Sequence, residues 1–283
     1  MNPNTPLPTP LRLRTLARLL LLAVLTMLTL STVACTGPLD YTKDDENPAH
    51  AASAKPVKGT NAKRGREHFL AGNEHMKQKD YKAAVRAYSK TIKADPTLKD
   101  AWLNRGIAWM ARHRFSKGIG DFAEALELDP KDPEIYFNLG NSYAQVAYYE
   151  QAIKSYQKAV ELNPKHRGAM NNLANSYAAL KQWDKAIDVL ERYTQAFPDD
   201  ATGWFNLGSA HEGSGDGQAA ETLFKKCIQI DPSFSMSYYT LGEIYQNRDQ
   251  ACEAARYYRK FVELSKDEIL IRKAESRANR SGC

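Results

Sequence analysis

Prolines stand at positions 96, 130, 164, 198 and 232, each 34 residues from the one before. A period of that length means the chain is built from copies of one supersecondary unit. With each Pro set at unit position 32, units begin at 65, 99, 133, 167, 201 and 235. Position 8 then reads Gly72, Gly106, Gly140, Ala174, Gly208 and Gly242, and position 20 reads Ala84, Gly118, Ala152, Ala186, Ala220 and Ala254. Both columns are small in every copy. Position 4 is large (His68, Trp102, Tyr136, Met170, Trp204, Tyr238), as is position 24 (Tyr88, Phe122, Tyr156, Leu190, Phe224, Tyr258). Small residues at two points let a pair of antiparallel helices approach closely, and the large ones fill the space around that contact. Pro stops the second helix, and an Asp-Pro or Asn-Pro step suits the turn to the next. One pair cannot bury its apolar face alone; six stacked pairs can.

This column pattern resembles the tetratricopeptide repeat (TPR). The resemblance covers residues 65–268 and implies an all-α fold, a right-handed α-solenoid of six helix pairs: 65–98, 99–132, 133–166, 167–200, 201–234 and 235–268. Lys266 stands where the sixth unit would have Pro, so the expected end is a capping segment, 269–283, with a last charged helix over 269–281.

Ahead of the repeats, residues 1–18 hold Arg12, Arg14 and Arg18 without an acid, and Leu19–Leu30 is a run of twelve apolar or near-apolar residues. That run is short for a bilayer span and suits the core of a secretory signal. Thr32-Val33-Ala34-Cys35 follows and resembles the lipobox of bacterial lipoprotein precursors, although Thr32 stands where that family has Leu. The resemblance implies that 1–34 is a lipoprotein signal peptide and that Cys35 becomes the acylated, palmitate-bearing first residue. Ordinary cleavage near Ala34 would instead leave a free thiol. Thr36 is not the Asp that retains such proteins at the inner membrane, so the expected location is the periplasmic face of the outer membrane. A multiply acylated Cys anchors stably. Residues 36–64 are rich in Pro, Ala, Lys, Asp and Asn without periodicity and read as a flexible tether. Its typical reach is about 30 Å. The formal net charge of +6 falls to about +3 once the three arginines of the leader are removed, too mild to imply a nucleic-acid partner.

In the TPR resemblance the first helices line a concave face through positions 2, 5, 6, 9, 12 and 13. Position 6 reads Leu70, Asn104, Asn138, Asn172, Asn206 and Thr240. A carboxamide donates and accepts, so a row of them can pair with the main chain of an extended peptide whatever its side chains. The row resembles the asparagine ladder of the O-linked N-acetylglucosamine transferase superhelix. Asn73, Asn141, Asn171 and Asn175 widen the polar strip, and Phe69, Phe137, Phe205 and Tyr239 at position 5 are expected to stand exposed beside it as apolar contacts. The same residues also occur in generic repeats, where they solvate or pack the inner helix. The basic clamp of chaperone-tail-binding TPR domains is not evident: its places hold Phe69, Asn73, Glu134 and Asn138.

Cys227 falls at a buried core position, while Cys252 opens the second helix of the sixth unit and Cys283 ends the chain. A turn near residue 267 would bring Cys252 and Cys283 together, so a disulfide is expected in an oxidising periplasm; two unrelated free thiols are the alternative. The six histidines lack metal-ligand spacing, no metal or cofactor is called for, and no nucleophile–base constellation is readable, so an enzyme is not expected. Gly213-Ser-Gly-Asp-Gly217 lacks the trailing Lys-Ser/Thr of a phosphate loop and falls at an interhelix turn. The expected function is a membrane-anchored adaptor that binds an extended segment of an envelope protein. The layout resembles the pilotin lipoproteins of type IV pili, which would make a secretin the partner. A scaffold recruiting peptidoglycan or other cell-envelope enzymes is the alternative.

Overall fold

The structure, a computed structural model, describes residues 60–280 and 282–283. The signal segment, Cys35 and most of the expected tether lie outside the described residues. Thirteen α-helices and no strand occur among those that are described. They are α1 (Thr60–Lys77), α2 (Tyr81–Ala94), α3 (Lys99–Ala111), α4 (Phe115–Leu128), α5 (Pro133–Gln145), α6 (Tyr149–Leu162), α7 (Arg167–Ala179), α8 (Trp183–Ala196), α9 (Ala201–Ser214), α10 (Gly217–Ile230), α11 (Ser235–Asn247), α12 (Ala251–Leu264) and α13 (Glu268–Arg280). Successive helices pack as pairs, and each pair packs on the next. The fold is an α-solenoid. One boundary needs correction: α1 begins at Thr60, inside the stretch expected to be tether. The helix-compatible run Asn61-Ala62-Lys63-Arg64 lets it wind a further turn.

Local chemistry repeats with the period. In each pair the residue at position 15 takes a left-handed backbone to turn the chain: Lys79, His113, Ala147, Lys181, Gly215 and Asp249, with φ between 55° and 94°. Gly215 is the only glycine of the six, so the Gly-rich stretch around it is turn chemistry. Asp95, Asp129, Asn163 and Asp231 then close four of the six second helices. Their side chains accept the backbone N–H of Thr97, Lys131, Lys165 and Ser233 at 2.9–3.2 Å, skipping the proline, which has no N–H to give. The position-4 side chain of the following unit reaches back to that proline's carbonyl, as Trp102 does to Pro96 (2.9 Å) and Trp204 to Pro198 (2.8 Å).

The core runs along the stack between the two helix rows, with Tyr88, Phe122, Tyr156, Phe224 and Tyr258 fully buried. At the far end Ala274 and Ala278 of α13 pack on Tyr239, Tyr258 and Phe261. Arg277 donates to Glu243 Oε1 (2.6 Å) and to the Tyr258 hydroxyl (3.0 Å). Cys252 and Cys283 are joined by a disulfide, Cα–Cα 5.4 Å, which ties the end of the chain to the start of α12. Cys227 is a buried free thiol, and burial pushes its pKa up to about 11, so it is held as an inert thiol.

Candidate peptide-binding groove

First helices of successive pairs touch one another from α1 through α9, and no two second helices make comparable contact. Helix axes that converge on one side curve the stack toward that side, so α1, α3, α5, α7, α9 and α11 form its inner face. The asparagine columns lie there, and their geometry differs from a free ladder. Tyr156 donates its hydroxyl to Asn141 Oδ1 (2.7 Å), and Asn172 of the next unit donates to the same oxygen (2.8 Å). Tyr88, Asn73 and Asn104 repeat the arrangement at 2.7 and 3.3 Å. Asn206 donates to Asn171 Oδ1 (2.5 Å), while Asn138 turns back on its own helix to the Glu134 carbonyl (2.8 Å). These amides hold neighbouring units in register.

Two expectations are corrected by this. Asn141 is 1% exposed, Asn172 8% and Asn138 9%, so their polar atoms are consumed within the fold and present little to a ligand. Phe69, Phe205 and Tyr239 are buried rather than exposed. Each leans on the position-24 ring of its own unit, with centroids 5.8 Å apart for Phe69–Tyr88, 5.4 Å for Phe205–Phe224 and 5.7 Å for Tyr239–Tyr258. Phe137 is half-buried against Tyr156 and His166. A large apolar residue so near the helix–helix contact gains more from completing the core than from facing water.

What stays accessible is a narrower polar strip: Asn104, Asn171, Asn175, Asn206, Ser209 and Thr240, all half-buried, with Glu212 exposed at its edge. The Asn175 amide has no hydrogen-bond partner among the described residues, and no cation pairs with Glu212. The crowding of the inner face, and then the charge of Glu243, raise the carboxyl pKa of Glu212 above the usual range. Glu243 itself is neutralised by Arg277. Sequence reasoning missed Glu212 because a single acid at position 12 has no pattern around it; only the folded stack brings the Glu243 carboxylate of α11 within electrostatic reach of Glu212 on α9.

Family models described as tetratricopeptide repeat match residues 69–133, 122–154, 148–207, 201–234 and 223–254, which together run from 69 to 254 without a gap. The chain belongs to the tetratricopeptide-repeat family. Solved TPR-type structures share its fold. MamA is 26% identical over 62% of this chain and 95% of its own length (TM-score 0.57). YrrB, described as a TPR protein with an unusual peptide-binding site, is 21% identical over 68% of this chain and all of its own (TM-score 0.55). PilF of Pseudomonas aeruginosa is 14% identical over 77% of this chain and 99% of its own (TM-score 0.62). The last two likenesses are of fold. No curated protein sequence matches the chain.

Proposed function

We propose that this TPR protein is a non-catalytic adaptor of the bacterial envelope, anchored through an acylated Cys35, whose inner face captures an extended segment of another envelope protein. A secretin is the partner we put first, because a leader, a lipobox-like Cys35 and a stack of TPR units follow the layout of pilus pilotins. One observation carries the binding part: amides left half-exposed along the inner face, Asn175 without a partner, and an unpaired Glu212 on that same face. A carboxylate held above its ordinary pKa is relieved by an incoming N–H or cation, so the captured segment carries a Lys or Arg, or a free backbone N–H, at that point. Each hydrogen bond would contribute only about 0.5–1.5 kcal/mol, so capture needs several together.

The test compares tagged wild type with Asn175→Ala/Glu212→Gln in affinity purification from native envelopes. Both side chains are spared by the internal network, so the variant keeps its fold. A specific envelope protein retained by the wild type and lost at least about tenfold by the variant supports capture, since two good polar contacts are worth roughly that much. Equal retention removes the groove from the account. Incorporation of labelled palmitate that Cys35→Ser abolishes tests the anchor separately.

A further inference from the structure

The basic residues of this protein are distributed unevenly. Residues 60–98 hold nine Lys or Arg against four Asp or Glu, a net +5, whereas 99–283 hold 24 against 25. The excess sits in the first helix pair, and mostly on one stripe. Unit positions 18, 22, 26 and 29 face outward on every second helix. In α2 they are Lys82, Arg86, Lys90 and Lys93, all exposed. Their spacing of i, i+4, i+8 and i+11 places them in a single row along the helix. The same four positions sum to between −2 and +1 in α4, α6, α8, α10 and α12. Beside the row, Arg64 and His68 of α1 meet Lys90 and Lys93 around a hollow of about 300 Å³ floored by Ala94, with no carboxylate in its lining. Among the described residues the one ion pair within these two helices is Lys77–Glu74, away from the stripe. Four like charges at helical spacing repel one another and add nothing to the stack.

We propose that the outer face of α2, with Arg64, is a docking surface for an anionic phospholipid leaflet. It rests on the membrane-anchored reading above, and two features of the chain favour a membrane over an acidic protein. The stripe belongs to the helix pair nearest in sequence to the apolar leader and Cys35, within about 30 Å of tether reach, so the anchor holds it near the lipid surface. It also lies on the outward, convex side of the stack, where a row about 16 Å long, from eleven residues at the helical rise, can lie flat on a plane. The hollow between Arg64, His68, Lys90 and Lys93 has the size and charge for a headgroup phosphate. Docked this way, α2 faces the membrane and the inner face points away from it, open to a partner.

The probe is vesicles of phosphatidylcholine with or without a third of phosphatidylglycerol. The protein is the chain from residue 35 onward carrying Cys35→Ser, so that no acyl chain contributes. Co-sedimentation with the anionic vesicles is expected, with little on pure phosphatidylcholine and loss on raising the salt to about 0.5 M. Each cation near an anionic surface contributes about a factor of five, so Lys82→Glu/Arg86→Glu/Lys90→Glu/Lys93→Glu falls by more than about a hundredfold. The uncharged pair Lys90→Gln/Lys93→Gln falls by about twenty-five-fold and serves if the reversed variant does not fold. Lys226→Glu/Lys260→Glu, which alters the equivalent rows of α10 and α12, leaves binding within about twofold. No binding to anionic vesicles, equal binding to neutral ones, or equal loss in the α10/α12 variant overturns the proposal, as does stripe-dependent capture of an acidic protein without vesicle binding. Because the acyl chains are absent, failure here leaves the Cys35 anchor to its own palmitate test.

Discussion

Gly140 is glycine because Tyr156 lies against it: a Cβ there would sit 2.6 Å from the ring. The one unit with alanine at this position, Ala174, is also the one with a non-aromatic partner, Leu190. The two columns therefore trade volume across a single contact. Gly140→Ala is expected to cost about 2–3 kcal/mol by overpacking. Combined with Tyr156→Leu, the loss should fall short of the sum of the single losses by about 1 kcal/mol or more, read from urea midpoints; strict additivity would show that the ring and the glycine do not share a constraint. Both columns were legible in the sequence as small and large, yet their exchange in the fourth unit needs the contact itself. The left-handed position-15 residue was illegible for a plainer reason, since five of its six occupants are not glycine. Ala147 carries that backbone strain while exposed, so Ala147→Gly should raise stability by about 0.5–1 kcal/mol, the steric relief exceeding the added unfolded-state entropy. A drop in the urea midpoint would reject this. The asparagine column was equally visible, but its role was not. What a position-6 amide bonds depends on its neighbours in the preceding unit: Asn141 at position 9 offers Asn172 an acceptor, Ile107 leaves Asn138 to its own helix, and Asn206 takes Asn171 at position 5 rather than Asn175 at position 9.

Helices behave as the period dictates except at the first and last of those described. At the start α1 lengthens, and at the finish α13 covers the face of α11 and α12 that a further unit would otherwise cover. That covering is thin, with two alanines and the Arg277–Glu243 pair at its centre, and the Cys252–Cys283 bond closes it across a separation of 31 residues. Closing a loop of that length is worth roughly 3–4 kcal/mol in the chain-entropy description. Cys283→Ser should therefore speed amide exchange in α12 and α13 while leaving α3 to α8 unchanged. It should also abolish the mobility shift between reduced and non-reduced protein, a shift that Cys227→Ser preserves. A shift that persists in Cys283→Ser, or uniform exchange along the chain, would show that this bond does not hold the end.

A solenoid is only as continuous as its junctions, because each unit touches only its neighbours. The junction between the fifth and sixth pairs is unlike the others: α9 and α11 do not meet as the earlier first helices do. Leu241 and Ile244 of α11 still pack on Phe224 and Cys227 of α10, and a polar cluster adds to that apolar contact. Glu221 of α10 accepts from Lys225 (2.6 Å) and from the Tyr245 hydroxyl of α11 (2.7 Å), and it pairs with Arg248, which also donates to the Gly217 carbonyl (3.1 Å). Burial opposes the Glu221 charge, but these three donors outweigh it and hold the carboxyl at about 2 against an ordinary 4.5. A depressed acid stabilises the fold above its unfolded pKa and loses that contribution as pH falls toward the folded one. The window is therefore about pH 4.5 down to 2. Lys225 and Arg248 are substantially exposed, so screening reduces the effect to about 1–2 kcal/mol. Glu221→Gln should lower the urea midpoint at pH 7 and split off an early transition for α11–α13, whose many tyrosines make it visible by fluorescence. Both differences should shrink across that window and close below about pH 2, where the wild-type carboxylate is itself protonated. A gap between variant and wild type that stays constant from pH 7 to 2 would mean the junction is held by something other than this charge.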